Sequence, residues 1–202
     1  GEANKEAGDK IAAVFEKMCT NQPNLCRMDR LSAEITKLAT NCYLTMKISF
    51  ANSIGDLARS SGANEEEILK AVGADSRIGG KYLKHGFGFG GPCFPRDNRA
   101  LQKFAHNVGM DLPLSAATDK VNSMHLEFQA MEMLEEKNEE EPIIIDGVAY
   151  KKGSNLIEES QQLKLAVTLA QAGRKVVIRD TQSVIHKVQK LYGDLFTFEV
   201  SE

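Results

Sequence analysis

One cysteine stands in a setting that could make its thiol reactive. Cys93 follows the run GFGFGG at residues 86–91 and lies just before a proline where a helix can begin. A helix N-terminus favours the thiolate, the nucleophilic form of cysteine, because of its partial positive charge. Glycines let the main chain approach a ligand closely, and nearby aromatic residues could supply apolar walls. These residues are Phe87, Phe89 and Phe94. The segment therefore predicts a nucleophilic thiol beside a ligand pocket, against the alternative of an inert cysteine in a tight loop.

The same glycines satisfy G-x-G-x-x-G, the pattern of a dinucleotide cradle. Such a cradle needs a buried strand running into the glycines and a helix that starts among them. Residues 77–85 (RIGGKYLKH) lack a strand pattern, and the prolines at 92 and 95 delay any helix. Asp111 lies where a ribose-binding acid would fall, but it sits in the turn sequence GMDLP. We therefore predict that residues 86–91 do not bind NAD.

Apolar residues at helical spacing dominate the first two thirds of the chain. They predict helices at residues 3–18, 29–60, 64–73, 95–108 and 113–137. The second helix has Asp29 as its N-cap and stops at Gly62. At about 1.5 Å per residue it is about 45 Å long, more than a small domain can cover, so we expect its surplus apolar face to meet another subunit. The alternative is that it crosses the core of a larger molecule.

The period of the apolar residues changes after the charged run KNEEEP at residues 137–142, which we interpret as a linker. Residues 143–145 predict a buried strand, residues 163–173 a helix and residues 175–180 a second strand. This order is a βαβ unit of a parallel sheet. The predicted fold class is therefore an α/β multidomain protein, with a mostly helical domain followed by part of a Rossmann-like parallel α/β domain.

Composition excludes several classes of function. The chain of 202 residues carries a net charge of -3 and shows no basic block, so we expect no nucleic-acid partner. No apolar run could span a membrane and no signal peptide is evident, so we expect no membrane partner and a cytoplasmic location. The cysteines lack C-x-x-C spacing and the histidines do not accompany them at metal-ligand spacing. We therefore expect neither disulfides nor a metal site.

The segment GFGFGGPCFPRDNRAL (86–101) resembles the active-cysteine signature of the nucleotide-sugar 6-dehydrogenase family, which includes UDP-glucose and GDP-mannose dehydrogenases. The resemblance continues in AEITKLATNCYLTMKISFANSI (33–54), SRIGGKYLK (76–84) and GVAYKK (147–152). It implies that a sugar C6 alcohol is oxidised twice, with hydride transfer to NAD. In that chemistry Cys93 traps the intermediate aldehyde as a thiohemiacetal and then carries a thioester.

The resemblance also assigns the residues around the thiol. Lys37 and Asn41 match the family's active-site lysine and asparagine, and their spacing puts both on one face of the long helix, where they could hold one substrate oxygen. Asp97 matches an aspartate that orients water or assists proton transfer. From the residues alone, Lys37 could instead be a solvated surface charge and Asp97 a helix cap.

The substrate-binding residues implied by the resemblance are Arg77, Lys84, Phe87, Phe89, Gly90 and Lys151. Arg77 would reach across a dimer, with a surface ion pair as its alternative role, and Lys151 would contact the nucleotide. Two positions depart from the family pattern, because Leu156 and Glu158 stand where an aspartate and an arginine are usual. An anion in place of a cation reverses the local charge, which bears on the interdomain NAD contact.

The resemblance further implies a domain arrangement. Residues 1–28 would be the terminal helix and linker of an NAD-binding domain that the chain itself lacks. Residues 29–137 would form the helical dimerisation domain, and residues 138–202 part of the sugar-nucleotide domain. We expect a homodimer through the helix at 31–60, with NAD as the cofactor of the full-length enzyme and no NAD binding or activity in the chain alone. Whether the chain ends are natural, and which sugar and base are bound, stay open.

Two alternatives from other classes are kept. The chain could be a non-catalytic dimerisation module that only binds a sugar nucleotide, although intact residues at 37, 41, 93 and 97 argue against decay. A thiol-dependent hydrolase is a weaker alternative, because no histidine is positioned by the sequence to serve as a base for Cys93.

Overall fold

The computed structural model describes residues 1–136, 138 and 140–201. The helices are α1 (Lys5–Met18), α2 (Arg30–Ser61), α3 (Glu65–Ala74), α4 (Phe94–Asn107), α5 (Pro113–Glu136), α6 (Gln161–Gln171) and α7 (Gln182–Tyr192). The strands are β1 (Ile143–Asp146), β2 (Val176–Asp180) and β3 (Thr197–Val200), and a short 3-10 turn occupies Gly193–Leu195. The expected fold class, a helical domain followed by a small parallel α/β domain, is confirmed.

Local capping explains why the long helix begins and ends where the sequence predicts. The carboxylate of Asp29 accepts hydrogen bonds from the Ser32 main-chain nitrogen at 3.0 Å and from its hydroxyl at 2.6 Å. These bonds lower the pKa of Asp29, since they favour its charged form. At the other end Gly62 adopts the left-handed conformation with φ of 74°, which glycine tolerates without a steric penalty.

Small residues on one face of α2 let its neighbours pack closely. The buried positions of this helix are mostly small: Thr45, Ser49, Ala51, Asn52, Gly55 and Ala58. Helices α3, α4 and α5 pack against α2, and the Ser49 hydroxyl donates to the main-chain oxygen of Thr118 on α5 at 3.2 Å. The helical half is therefore organised around α2, which places residues of α2 directly beside α4.

The second half contains a parallel sheet with strand order β1-β2-β3 among the described residues. Ile143 pairs in register with Val176, and Val177 with Thr197. Its core is aliphatic and includes Ile143, Ile145, Leu165, Leu169, Ile178, Val184 and Val188. Ala130 of α5 also belongs to this core, so α5 connects the helical half to the sheet.

The sequence prediction differs from the structure in a few elements. Helix α4 starts at Phe94 rather than at Pro95, and α3 continues one residue beyond Gly73. Helix α7 and strand β3 were not predicted, although the buried residues Val184, Ile185 and Val188 of α7 recur at helical spacing. Part of the predicted linker, residues 137 and 139, lies outside the described residues. Among the described helices, we find none long and apolar enough to cross a bilayer.

Candidate functional site

Cys93 lies immediately before α4, as the sequence predicts. It is the N-cap residue of this helix, its side chain is exposed, and its main-chain oxygen accepts a hydrogen bond from the Asp97 nitrogen at 2.8 Å. The N-cap makes no side-chain hydrogen bond to the helix. The thiol is therefore accessible, one helical turn before Asp97, at the end of a helix that favours negative charge.

Asp97 brings two of the other candidate catalytic residues, Lys37 and Asn41, into one cluster. Its side chain is 3% exposed, and its Oδ2 atom accepts hydrogen bonds from the Lys37 ammonium group and from Asn41 Nδ2, the latter at 2.6 Å. The Arg96 guanidinium lies 3.3 Å from the other carboxylate oxygen. Lys37 and Asn41 do share one oxygen, as their spacing on α2 suggests, but in this structure the oxygen belongs to Asp97.

The electrostatics of Asp97 follow from these contacts. Burial by itself raises the pKa of the Asp97 carboxyl, but the hydrogen bonds from Lys37 and Asn41 and the charge of Lys37 outweigh burial, so the pKa lies below its usual value. Asp97 is therefore a carboxylate at neutral pH. Capping of α4 was an alternative role for Asp97, and in the structure this residue lies inside the helix with its side chain bonded to Lys37 and Asn41 of α2.

Three of the glycines at residues 86–91 are needed for a reason that the sequence did not indicate. A Cβ atom at Gly88 would lie 2.3 Å from the Asn122 side chain, and one at Gly90 would lie 2.3 Å from the main-chain oxygen of Glu159. Gly91 has a φ of 78° and packs against the ring of Tyr150. These three glycines make room for the chain's own residues rather than for a ligand.

Asn122 on α5 holds the centre of this loop. Its Oδ1 atom accepts from the Phe89 nitrogen at 2.8 Å, and its Nδ2 donates to the Phe89 oxygen at 2.9 Å. Phe89 is buried, whereas Phe87 is 40% exposed. Sequence reasoning missed Asn122, because nothing in the sequence indicates that a polar residue of α5 would pair with a loop more than thirty positions earlier.

The remaining predicted substrate-binding residues lie at the surface. Lys84 is exposed, close to the start of the glycine-rich loop. The Arg77 side chain is 86% exposed and pairs with Asp75, with 2.6 Å between Nη2 and Oδ2. This pairing lowers the pKa of Asp75. Arg77 therefore makes the surface ion pair that was its alternative role, and its role across a dimer stays a prediction.

Lys151 lies apart from the thiol, in a cleft of about 1060 Å³ at the carboxyl ends of the strands. The lining of this cleft includes Lys151, Lys152, Ser154, Leu156, Arg179 and Thr181. Ligands of open parallel α/β sheets bind at this edge. The Lys151 ammonium lies 5.5 Å from the ring centroid of Tyr150. Of the two departures from the family pattern, Leu156 lines the cleft and Glu158 is exposed.

Two acidic residues that the sequence analysis did not single out organise the cleft and its junction with α4. Asp180 ends β2, and its Oδ2 accepts from the Val148 nitrogen at 2.7 Å. Glu159 pairs with Lys164 at 2.5 Å and with Arg99 of α4 at 3.0 Å, and these partners lower its pKa. Asp180 could have been found as the acid directly after a buried strand, while Glu159 gives no such signal.

The described residues do not fit NAD at the glycine-rich run. The loop at 86–91 is not preceded by a strand, and α4 starts only after it. The space beside Gly88, Gly90 and Gly91 is filled by other parts of this chain, so the loop cannot surround a pyrophosphate as a dinucleotide cradle does.

Comparison with known proteins agrees with this geometry. Residues 31–124 match the UDP-glucose/GDP-mannose dehydrogenase family, central domain. The chain is 31% identical over 183 residues to a UDP-glucose 6-dehydrogenase of Pseudomonas aeruginosa, covering 89% of the chain and 40% of that protein. It is 29% identical over 183 residues to a GDP-mannose 6-dehydrogenase of Azotobacter vinelandii, covering 90% of the chain and 41% of that protein.

The same similarity holds for solved structures. A UDP-glucose dehydrogenase from Pyrobaculum islandicum superposes with a TM-score of 0.86 at 32% identity, covering 98% of this chain and 46% of the other. The chain thus spans about two fifths of the length of the curated relatives it matches. The active-cysteine segment and the residues of α2 that meet it lie inside the matched central domain, and the chain belongs to the UDP-glucose/GDP-mannose dehydrogenase family.

Proposed function

We propose that the protein containing this chain oxidises the C6 alcohol of a nucleotide sugar to the acid, in two successive two-electron steps, with Cys93 as the nucleophile. The observation that carries the proposal is the exposed thiol at the start of α4, one turn before a buried aspartate that is held by Lys37 and Asn41. A nucleophile, a cation and an amide donor close together suit chemistry at a carbonyl carbon.

The role of the thiol follows from the chemistry of aldehydes. The Cys93 thiolate adds to the C6 aldehyde, so that a carbon–sulfur bond forms and the carbonyl oxygen becomes an alkoxide that takes up a proton. Loss of a hydride from this thiohemiacetal leaves a thioester. Water then attacks the thioester carbon, the carbon–sulfur bond breaks, and the thiolate and the sugar acid are released. Each hydride needs an acceptor such as NAD.

Lys37 and Asn41 suit stabilisation of the oxygen charge that develops on C6. The Lys37 side chain is 56% exposed, so its ammonium group can reach an incoming substrate. Asp97 keeps Lys37 and Asn41 in place on α2 by accepting hydrogen bonds from both. Because the pKa of Asp97 is lowered, its resting role is that of a charged acceptor that positions these two donors.

The cleft at the strand ends suits the nucleotide part of the substrate. Lys151 and Lys152 supply positive charge for a diphosphate, and Gly153 and Ser154 leave main-chain groups accessible beside them. The ion pair between Glu159 and Arg99 connects the segment after this cleft to α4, whose N-cap residue is Cys93. A nucleotide held in the cleft could thereby place its sugar toward the thiol.

A second copy of the chain is the proposed partner of α2. This helix exposes a row of large apolar side chains: Leu31, Ile35, Tyr43, Phe50 and Leu57. The row extends along a helix of 32 residues, or about 48 Å, and no element within the described chain covers it. An apolar surface of this length is typical of an obligate homodimer interface.

Replacement of Cys93 by serine in the full-length protein tests the proposed function. We expect turnover, measured as NADH formed from NAD and UDP-glucose, to fall by several orders of magnitude while the affinity for the nucleotide sugar stays within a few-fold. Cys26→Ser is the matched control, because Cys26 is also exposed but lies far along the chain from the cluster. Turnover by Cys93→Ser equal to that of the control would contradict the nucleophilic role.

The same assay separates the proposal from the alternative of a binding module. A full-length protein that binds a nucleotide sugar by calorimetry, yet forms no NADH with UDP-glucose, GDP-mannose or an N-acetylated relative, would be a binding module. Formation of two NADH per sugar oxidised is the outcome that supports the dehydrogenase.

A further inference from the structure

Two histidines and an aspartate meet behind the glycine-rich loop, away from Cys93. Asp56 lies on α2, His125 on α5, and His85 immediately before the loop. The Asp56 carboxylate lies 2.9 Å from His85 Nε2 and 2.8 Å from His125 Nδ1. One potential ligand atom from each residue lies within 4.8 Å of the other two. The proposed function uses none of these residues.

The cluster is largely withdrawn from water but is not closed. The side chains of His125 and His85 are 1% and 10% exposed, and that of Asp56 is 17% exposed. The His85 ring packs directly on Gly55 of α2, where a Cβ atom would lie 2.1 Å from the ring. A glycine inside a helix costs about 1 kcal/mol relative to alanine, and here it makes room for the imidazole. Asp56 leaves the cluster an opening to solvent.

The second nitrogen of His125 is oriented by the main chain. His125 Nε2 lies 2.5 Å from the main-chain oxygen of Gly86, which can only accept, so this nitrogen carries a proton. A metal-bound histidine commonly donates its other N–H to a main-chain carbonyl in this way, which fixes the ring and leaves the remaining nitrogen for the metal. In His125 the remaining nitrogen is Nδ1, which faces Asp56 and the His85 side.

We propose that Asp56, His85 and His125 form a binding site for a divalent transition metal of the zinc type. Two imidazole nitrogens and one carboxylate oxygen, with a fourth position open to water, form a donor set that zinc accepts. Magnesium and calcium prefer oxygen ligands throughout, so they fit this set poorly. Zinc–ligand bonds of about 2.0–2.2 Å in a tetrahedron separate the ligand atoms by about 3.3 Å, so the observed contacts would open by a few tenths of an ångström.

A buried polar atom without a partner among the described residues lies on the turn of α5 that follows His125. Gln129 lies one helical turn after His125, and its Nε2 lies 3.5 Å from the Gly86 oxygen. Its Oε1 is buried and has no hydrogen-bond partner among the described residues.

Metal binding at this site would affect the loop that leads to Cys93. Gly86 begins the loop, and its oxygen and nitrogen contact His125 and Asn52, the latter at 3.1 Å. Fixing His85 and His125 on one ion would therefore hold the start of the loop against α2 and α5. This inference does not depend on the proposed function, since it concerns binding and stability only.

Titration of the metal-free chain with Zn²⁺ by calorimetry tests the inference. We expect one Zn²⁺ per chain and a rise in the thermal unfolding temperature. His85→Gln and Asp56→Asn should each weaken Zn²⁺ affinity by about 10-fold or more. Removing a residue that only hydrogen-bonds to a metal ligand already costs about 10-fold, and these two residues would bind the metal directly. His186→Gln changes an exposed histidine of α7 and should leave affinity unchanged.

Two further measurements separate this site from other zinc-binding groups. Co²⁺ bound here should show the visible bands of nitrogen and oxygen ligation, without the near-ultraviolet charge-transfer band of a cysteine thiolate. Far-ultraviolet circular dichroism checks that His85→Gln is folded, and this variant is preferred to one at His125 because His85 is less buried. Absence of saturable Zn²⁺ binding, a thiolate band lost in Cys93→Ser, or full affinity in folded His85→Gln would each overturn the inference.

Discussion

Replacing Asp97 with asparagine removes one negative charge from the centre of the candidate catalytic cluster while keeping the shape of the side chain. The carboxylate is 3% exposed and accepts from Lys37 and Asn41. An amide oxygen can still accept from both residues, but it loses the charge assistance, and the new amide nitrogen lies among donors. A hydrogen bond to a charged group contributes about 1.5–3 kcal/mol to the free energy of unfolding. The solvent exposure of Lys37 reduces the contribution of its ion pair with Asp97. We expect Asp97→Asn to lower the free energy of unfolding by about 2 kcal/mol at pH 7.

The pH dependence of this loss follows from the lowered pKa of Asp97. Because the folded state holds this carboxyl below its ordinary value of 3.8, the unfolded state binds the proton more readily. The stabilisation is therefore fully present above the unfolded pKa and is lost as the pH falls through the folded pKa. The difference between wild type and Asp97→Asn should stay constant from about pH 5 to pH 8 and shrink below about pH 4.

Urea unfolding followed by circular dichroism at several pH values measures this difference. Asp111→Asn is the matched control, since it makes the same chemical change at an exposed position between α4 and α5 and should alter stability by less than about 0.5 kcal/mol. Other carboxylates titrate equally in both proteins and cancel in the comparison. The reasoning would be refuted if Asp97→Asn were as stable as wild type at pH 7, or if the difference persisted unchanged at pH 3.

Two other predictions concern the packing of the loop and the assembly of the chain. Gly90→Ala should cost about 1–3 kcal/mol in urea unfolding, because the new Cβ would lie 2.3 Å from the Glu159 oxygen. Gly86→Ala, with nothing within 4 Å of its Cβ, should be nearly neutral, and equal losses at both positions would contradict the packing argument. In sedimentation velocity at micromolar concentration we expect a dimer that Leu57→Glu on α2 converts to a monomer, whereas Leu191→Glu, at an equally exposed apolar position of α7, leaves it intact. A monomeric wild-type chain would remove the proposed interface.

The sequence by itself predicted those structural features that depend on residues close together in the chain. The long helix begins after Asp29 and ends before Gly62 because a side-chain cap and a left-handed glycine act within a few residues of the helix ends. The parallel arrangement of β1 and β2 likewise follows from two apolar runs separated by a helical pattern. Placement of Cys93 before α4 required only the prolines and the apolar period after it.

Tertiary structure alone decided how residues distant in the chain combine. Spacing placed Lys37 and Asn41 on one face of α2, but only the packing of α4 against α2 shows that they meet Asp97 rather than solvent. The glycines at 88 and 90 suggested room for a ligand, and the structure fills that room with Asn122 and Glu159.

The histidine cluster is the clearest case of residues that only tertiary packing brings together. The sequence predicts no metal site, because its cysteines and histidines do not recur at the short, regular spacing of metal ligands. Asp56, His85 and His125 come from α2, the loop entrance and α5, and their approach depends on the packing of these three segments around Gly55 and Gly86. Local sequence determines which helices form and where they end. The contacts between helices depend on the shapes of whole surfaces, and these brought together the groups that could do chemistry.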